Sequence, residues 1–355
     1  MHMVDGSRTA WIVGGVGALL VAAGCSSSNS SSGSTSDDGG TAASSGTSSG
    51  TSSNGGTASG GAGAGCAPTS TCQVADTSCL GLSDNTGKTM FGLRMAELDL
   101  TAPAALARGA VAQSVQGDVT QSDVTCNLDG TGTSSWLLQF DTGAGTLKTG
   151  GAKPVADPAQ GYAFDDEMLA SGSTMLQVQP VTFSGVTPDA SGNFSTSAGQ
   201  NLVIPFFLDA SGTSAVVLPI DQLTFTMATL SASNNCIGTY NAAGLDVGNN
   251  CQPDDTHPQF VTGGSLSGYI SLKDADSVVI AELNETLCVL LSGDPTTYGM
   301  MAAASDLTTC KTDAGGNITF QGDWCSTTNM AASGGCADAV QFAGKFAASS
   351  VSITN

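Results

Sequence analysis

The sequence predicts a mainly β fold, an antiparallel β-sandwich or barrel-like domain braced by disulfides, with one or two short helices, placed after a disordered tether. Three observations lead there. Apolar residues recur at every second position in segment after segment, the mark of half-buried strands. The 30 acidic residues are 26 Asp and 4 Glu, and together with 47 Gly they suit turns better than helix interiors. Ten cysteines follow residue 65, an even set of the kind that braces exported domains.

The strands follow in order. Phe91, Leu93 and Met95 alternate with small or polar residues, as do Trp136, Leu138 and Phe140. The same period appears at Leu202, Ile204, Phe206 and Leu208, at Val216, Leu218 and Ile220, and again at Leu223, Phe225 and Met227. Val340, Phe342 and Phe346 mark a final strand. Asp-Ala-x-Gly recurs at Asp189, Asp209 and Asp313, supplying an Asx-capable side chain and then a glycine that accepts positive φ. The second of these reads as the hairpin turn between Leu202–Leu208 and Ser214–Ile220. Val279, Leu283, Leu287 and Leu290 keep a helical spacing between Asp274 and Gly293, which predicts a helix, with a strand at Ser277–Ala281 as the competing reading. Ala104–Val115 is a second, weaker helical segment interrupted by Gly109.

Cys66, Cys72, Cys79, Cys126, Cys236, Cys251, Cys288, Cys310, Cys325 and Cys336 give five expected bridges. Sequence proximity favours Cys236 with Cys251 and Cys325 with Cys336, and a set of pairings among Cys66, Cys72, Cys79 and Cys126. There is no Cys-x-x-Cys pair and no histidine at finger spacing, so structural zinc is not expected.

The N-terminal segment obeys different physics. Arg8 precedes an apolar run from Ala10 to Ala23, too short to span a bilayer as a helix and followed by small residues. Val21-Ala22-Ala23-Gly24-Cys25 resembles the lipobox of bacterial lipoproteins, with Ala22 standing where Leu is commoner. The resemblance covers only this segment. It implies that residues 1–24 are a signal peptide, that Cys25 receives the lipid, and that Ser26, in place of Asp, sends the chain to the outer membrane. Several acyl chains on one residue anchor stably, whereas one chain binds marginally. Residues 25–65 then form the lipidated Cys and its tether: from Ser26 to Gly65 there is no Leu, Ile, Val, Met or aromatic residue. Such a stretch cannot bury enough apolar surface to offset its ordering entropy, and its root-mean-square span is about 35 Å. Gly46-Thr47-Ser48-Ser49-Gly50 matches a hydrolase motif by composition alone, since no strand-to-helix elbow surrounds it. Residues 66–355 are the β-rich ectodomain, with a possible subdivision near 233.

Nine basic residues against 30 acidic ones, a net charge of −21, exclude nucleic acid and a basic lipid-docking patch. The ectodomain keeps that acidity, because the first 65 residues carry Asp5, Asp37 and Asp38 against Arg8. Three candidate sites stand out. Leu138 to Leu147 carries Asp141-Thr142-Gly143, which resembles the active-site turn of aspartic proteases; that chemistry needs two carboxylates sharing a proton, and no second Asp-Thr-Gly or Asp-Ser-Gly exists. Asp141 therefore reads as the end of a strand at a tight turn. His257 is the sole histidine past the signal, between Thr256 and Pro258, so any imidazole-dependent mechanism must use it. Asp165, Asp166 and Glu167 are calcium candidates, lacking an Asp-x-Asp-x-Asp-Gly loop; no other cofactor is expected. The expected function is a lipid-anchored cell-envelope surface module that binds an unknown protein or glycan, adheres, or is structural, with no catalytic mechanism evident. The alternative is an exported carboxylate-based hydrolase, for instance glycosidase-like.

Overall fold

The computed structural model describes residues 82–107, 132–240, 260–281, 283–292 and 307–354. The signal, Cys25, the tether, Cys66, Cys72, Cys79, Cys126, Cys251 and His257 lie outside these residues. β1 (Met90–Ala102), β2 (Ser135–Asp141) and β3 (Thr146–Ala152) pair antiparallel, with Leu93 opposite Leu138 and Phe140 opposite Leu147. Alternation makes this ladder: Phe91, Leu93, Met95, Trp136, Leu138 and Phe140 are all buried, as the period of two requires. Beyond β4 (Tyr162–Ala163), the strands β5 (Glu167–Ser171) and β6 (Thr174–Val178) form their own hairpin, and β7 (Val181–Ser184) returns to pair with β3.

The three Asp-Ala-x-Gly segments are turns, each with its carboxylate accepting backbone N–H groups two and four residues on. The first leads into β8 (Asn193–Phe194). The second joins β9 (Gln200–Phe207) to β10 (Ala215–Thr226), with Gly212 at φ +66. The third is enclosed by an isolated antiparallel bridge between Thr312 and Ile318. β11 (Ala228–Thr229) pairs β8, β12 (Cys236–Ile237) pairs the last long strand, and β13 (Thr239–Tyr240) pairs β14 (Phe260–Val261). After β15 (Gly264–Ser271) come α1 (Leu272–Ala275), β16 (Val279–Ile280), β17 (Glu285–Thr286) and α2 (Leu287–Ser292). β18 (Trp324–Cys325) and β19 (Met330–Ala331) form a small hairpin before β20 (Ala339–Val351), and β21 (Ile353–Thr354) runs parallel to β4.

The long strands make one antiparallel sheet in the order β7-β3-β2-β1-β20-β15-β10-β9. Its two ends curl together, since β9 packs against β3 and β7, giving a nearly closed, barrel-like sheet. Gly151 of β3 permits the approach: a Cβ there would meet the ring of Pro205 in β9. Strands from both sides of residue 233 share this sheet. The interior is lined by the inward residues of the long strands, with Phe91 stacked on Phe140 at 5.1 Å and Phe225 edge-on to Phe183 and Phe346 at 5.8 and 5.6 Å. A smaller cluster of Leu137, Ala152, Tyr162 and Val351 covers part of the outer face.

Two bridges are resolved, Cys288–Cys310 and the expected Cys325–Cys336. Cys236 is also disulfide-bonded. One expectation fails. The described residues of the segment expected to be helical from Asp274 to Gly293 are not one helix but the end of a short helix, a two-strand hairpin and a second short helix. The hairpin pairs Val279 with Thr286 and Ile280 with Glu285, and it turns at Asn284, whose φ is +52. The β-branched residues of Val278-Val279-Ile280 favour the pleated form, and a left-handed Asn ends any helix at that point. The competing strand at Ser277–Ala281 was the better reading of its first half. Ala104–Ala107, the described start of the second helical segment, is a turn in which Leu106 and Ala107 donate to the Pro103 carbonyl.

Candidate binding hollow on the outer sheet

Alternation that sends Leu223, Phe225, Leu266, Ile270, Val340 and Phe342 inward leaves Thr224, Ser267 and Gln341 on the solvent face of β10, β15 and β20. Thr224 lies opposite Ser267, their hydroxyls 3.1 Å apart, and Gln341 lies opposite Tyr269. These strands form the floor of a hollow of about 190 Å³.

One wall comes from a bulge. Pairing of β10 slips between Asp221 and Thr224 on the β15 side and between Ile220 and Leu223 on the β9 side, so an extra residue is accommodated and Gln222 sits at φ +52. The close approach needs Gly268, where a Cβ would lie 2.7 Å from the Asp221 carbonyl oxygen. The Asn201 side-chain oxygen fixes the turned-out residue by accepting from the Gln222 N–H at 3.0 Å.

The β18–β19 hairpin supplies the other wall. It is fastened to β20 at several points. Trp324 pairs with Ala339, the Cys325–Cys336 bridge closes its base, and Asp323 accepts from the Gln341 N–H at 2.8 Å. Asp338 accepts from both the N–H and the hydroxyl of Ser326, and the Tyr269 hydroxyl donates to the Ser326 carbonyl at 3.3 Å. Partial burial works to raise the Asp338 carboxyl, yet the Ser326 hydrogen bonds hold it below its ordinary range. The half-buried Trp324 indole is oriented by its N–H donating to the Asn329 side-chain oxygen at 3.1 Å, and Asn329 turns the hairpin at φ +51.

The hollow thus has three side-chain amides, two hydroxyls and one indole on its walls, and no carboxylate, cysteine or histidine among its lining residues. The Gln341 amide makes no hydrogen bond among the described residues. Acids stand outside the lining. Burial, and then Asp274, raise the Asp221 carboxyl; burial, and then Asp221, Asp338 and Asp274, raise the Tyr269 hydroxyl. The surrounding field is negative.

The residues that the sequence singles out lie elsewhere. Asp141 ends β2 and caps the β2–β3 turn, accepting from the Ala144 N–H at 2.9 Å, the bland role expected of it. Asp166 accepts from Gln177, and Glu167 pairs with Lys153 at 2.7 Å, raising the lysine. Asp165 is buried, with one oxygen lacking a hydrogen bond among the described residues; desolvation first, then Glu167, raise its carboxyl. Among the described residues these three do not bring three ligand atoms within 4.8 Å of one another. The two clusters that do, Asp276 with Cys288 and Cys310, and Asp338 with Cys325 and Cys336, have their sulfurs in disulfides and so offer no thiolate. Sequence reasoning misses the hollow because amides and hydroxyls on a polar strand face carry no motif. One signal was present: the apolar alternation changes phase between Ile220 and Leu223, which is how a bulge reads in sequence. No family model, curated protein or solved structure matches the chain.

Proposed function

We propose that this chain is a lipid-anchored cell-envelope surface module whose ectodomain binds a ligand in the outer-sheet hollow. The observation that carries the reading is the chemistry of that hollow: groups that donate and accept hydrogen bonds beside an aromatic side chain, with no carboxylate, cysteine or histidine among them. The Val21–Cys25 segment and the Ser26–Gly65 tether support the anchoring, at the outer membrane by resemblance and at a reach set by the tether. Growth with an alkyne analogue of palmitate tests the anchor. Wild type incorporates label and fractionates with membranes, and Cys25→Ala does neither; equal behaviour of the two overturns it.

The hydrolase alternative has Asp221 in its favour, a carboxyl raised by burial and one residue from the hollow. Turnover of a panel of glycan and peptide substrates, lost in Asp221→Asn, would establish that reading in place of binding. Absence of turnover with retained binding supports the module.

A further inference from the structure

We infer that the hollow on β10, β15 and β20 is a carbohydrate site, selective for neutral sugars. The inference rests on the binding reading above and names the ligand class.

Three features argue for it. A pyranose presents a ring of hydroxyls, each donor and acceptor, around an apolar face of C–H groups. Side-chain amides match the hydroxyls, because each amide carries both two donors and an acceptor. Gln222, Gln341 and Asn329 stand on different sides of the hollow, with Thr224 and Ser267 on its floor. The Trp324 indole offers the aromatic face, and its N–H is already committed to Asn329, which leaves the ring in a fixed orientation. A volume of about 190 Å³ accommodates about one sugar ring of a longer chain lying across the sheet.

Backbone geometry argues independently that this arrangement is built. Gln222 and Asn329 are two of five non-glycine residues at positive φ among the described residues, and both line the hollow. Gln222 is the more telling, because left-handed backbone is costly for an unbranched side chain without an Asn-type local hydrogen bond. The bulge that imposes it places Gln222 on the hollow's wall, with its side-chain Nε2 3.5 Å from the Asn201 side-chain oxygen.

Charge selects among sugars. Asp221, Asp274 and Asp338 all act on Tyr269 at the edge of the site, and the whole chain carries −21. Uronates, sulfated glycans and phosphates are repelled there.

Trp324 also supplies the readout. Trp11 leaves with the signal, and Trp136 is buried with its N–H on Thr149, so ligand-dependent emission comes from Trp324. The full lipidated chain, in a detergent without a sugar headgroup, is titrated with cellohexaose, xylohexaose, maltohexaose, chitohexaose and, as the acidic control, hexagalacturonate. The expected result is saturable change in Trp324 emission with at least one neutral hexamer and none with hexagalacturonate. Calorimetry then shows Gln341→Ala weakening that hexamer at least fivefold and Trp324→Ala at least tenfold. Thermal unfolding of Gln341→Ala stays at the wild-type temperature, since its amide makes no hydrogen bond among the described residues. Preference for the acidic hexamer, or binding undiminished in both variants, overturns the assignment. If no sugar binds at millimolar concentration but an envelope peptide array shifts Trp324 emission, the carbohydrate class falls and the binding module stands. Silence to both overturns the two together.

Discussion

Asp209 and Asp165 are both aspartates near strand ends, and their surroundings push them in opposite directions. The Asp209 carboxylate accepts from the Ser211 hydroxyl and from the N–H groups of Ser211, Thr213 and Ser214, and these bonds hold it far below the ordinary value of 3.8. A group depressed on folding stabilises the native state above its unfolded value, and that contribution is lost as pH falls towards the folded one. Asp209→Ala is expected to melt below wild type at pH 7, with the gap narrowing as pH drops below 3.8. Asp165 is raised from 3.8 by desolvation, so its ionised form burdens the native state. Below 3.8 both states hold the proton and the burden vanishes; it grows as pH rises through the folded value. Asp165→Asn should therefore raise the melting temperature at pH 7 and leave it unchanged at pH 3. A drop at pH 7 would mean that the carboxylate has a stabilising partner.

At the scale of elements, the β18–β19 hairpin and the β10 bulge are built differently and fail differently. The hairpin is held by a bridge of sequence separation 11 and by Asp323, Asp338 and Tyr269. Replacing Cys325 and Cys336 by Ser should cost about 2–3 kcal/mol, read by denaturant titration. It should also broaden the Trp324 emission response. The bulge depends on close backbone approach, so Gly268→Ala is expected to disturb Gln222 before it disturbs the core. Wild-type affinity for the hollow's ligand in that variant would show that the bulge does not set the site. The strands themselves were legible because period two is written directly in residues such as Leu93, Leu138 and Phe342. The Asp274–Gly293 segment was not, since Val279, Leu283 and Leu287 satisfy a helical period by coincidence while Asn284 takes a turn. The hollow was less legible still. Its members come from four strands and a hairpin turn, and only the paired sheet brings Gln222, Ser267, Trp324 and Gln341 together.

For the whole molecule, stability rests on one interior filled from every strand of a nearly closed sheet. Phe346 touches that interior from the central strand, edge-on to Phe225 and against Gly264. Phe346→Ala should cost about 3–5 kcal/mol in equilibrium unfolding, against under 1 kcal/mol for an exposed residue such as Met227→Ala. No helix among the described residues is long and apolar enough to cross a membrane.

The strand order carries a consequence for folding. β20 lies between β1 and β15, so the sheet's centre is filled by residues 339–351, far along the chain from β1. Until β20 pairs, β1 and β15 each present an unpaired edge. A chain of this connectivity closes its sheet only when β20 pairs with β1 and β15. The very high sequence separation of the β1–β20 pair makes that closing step slow.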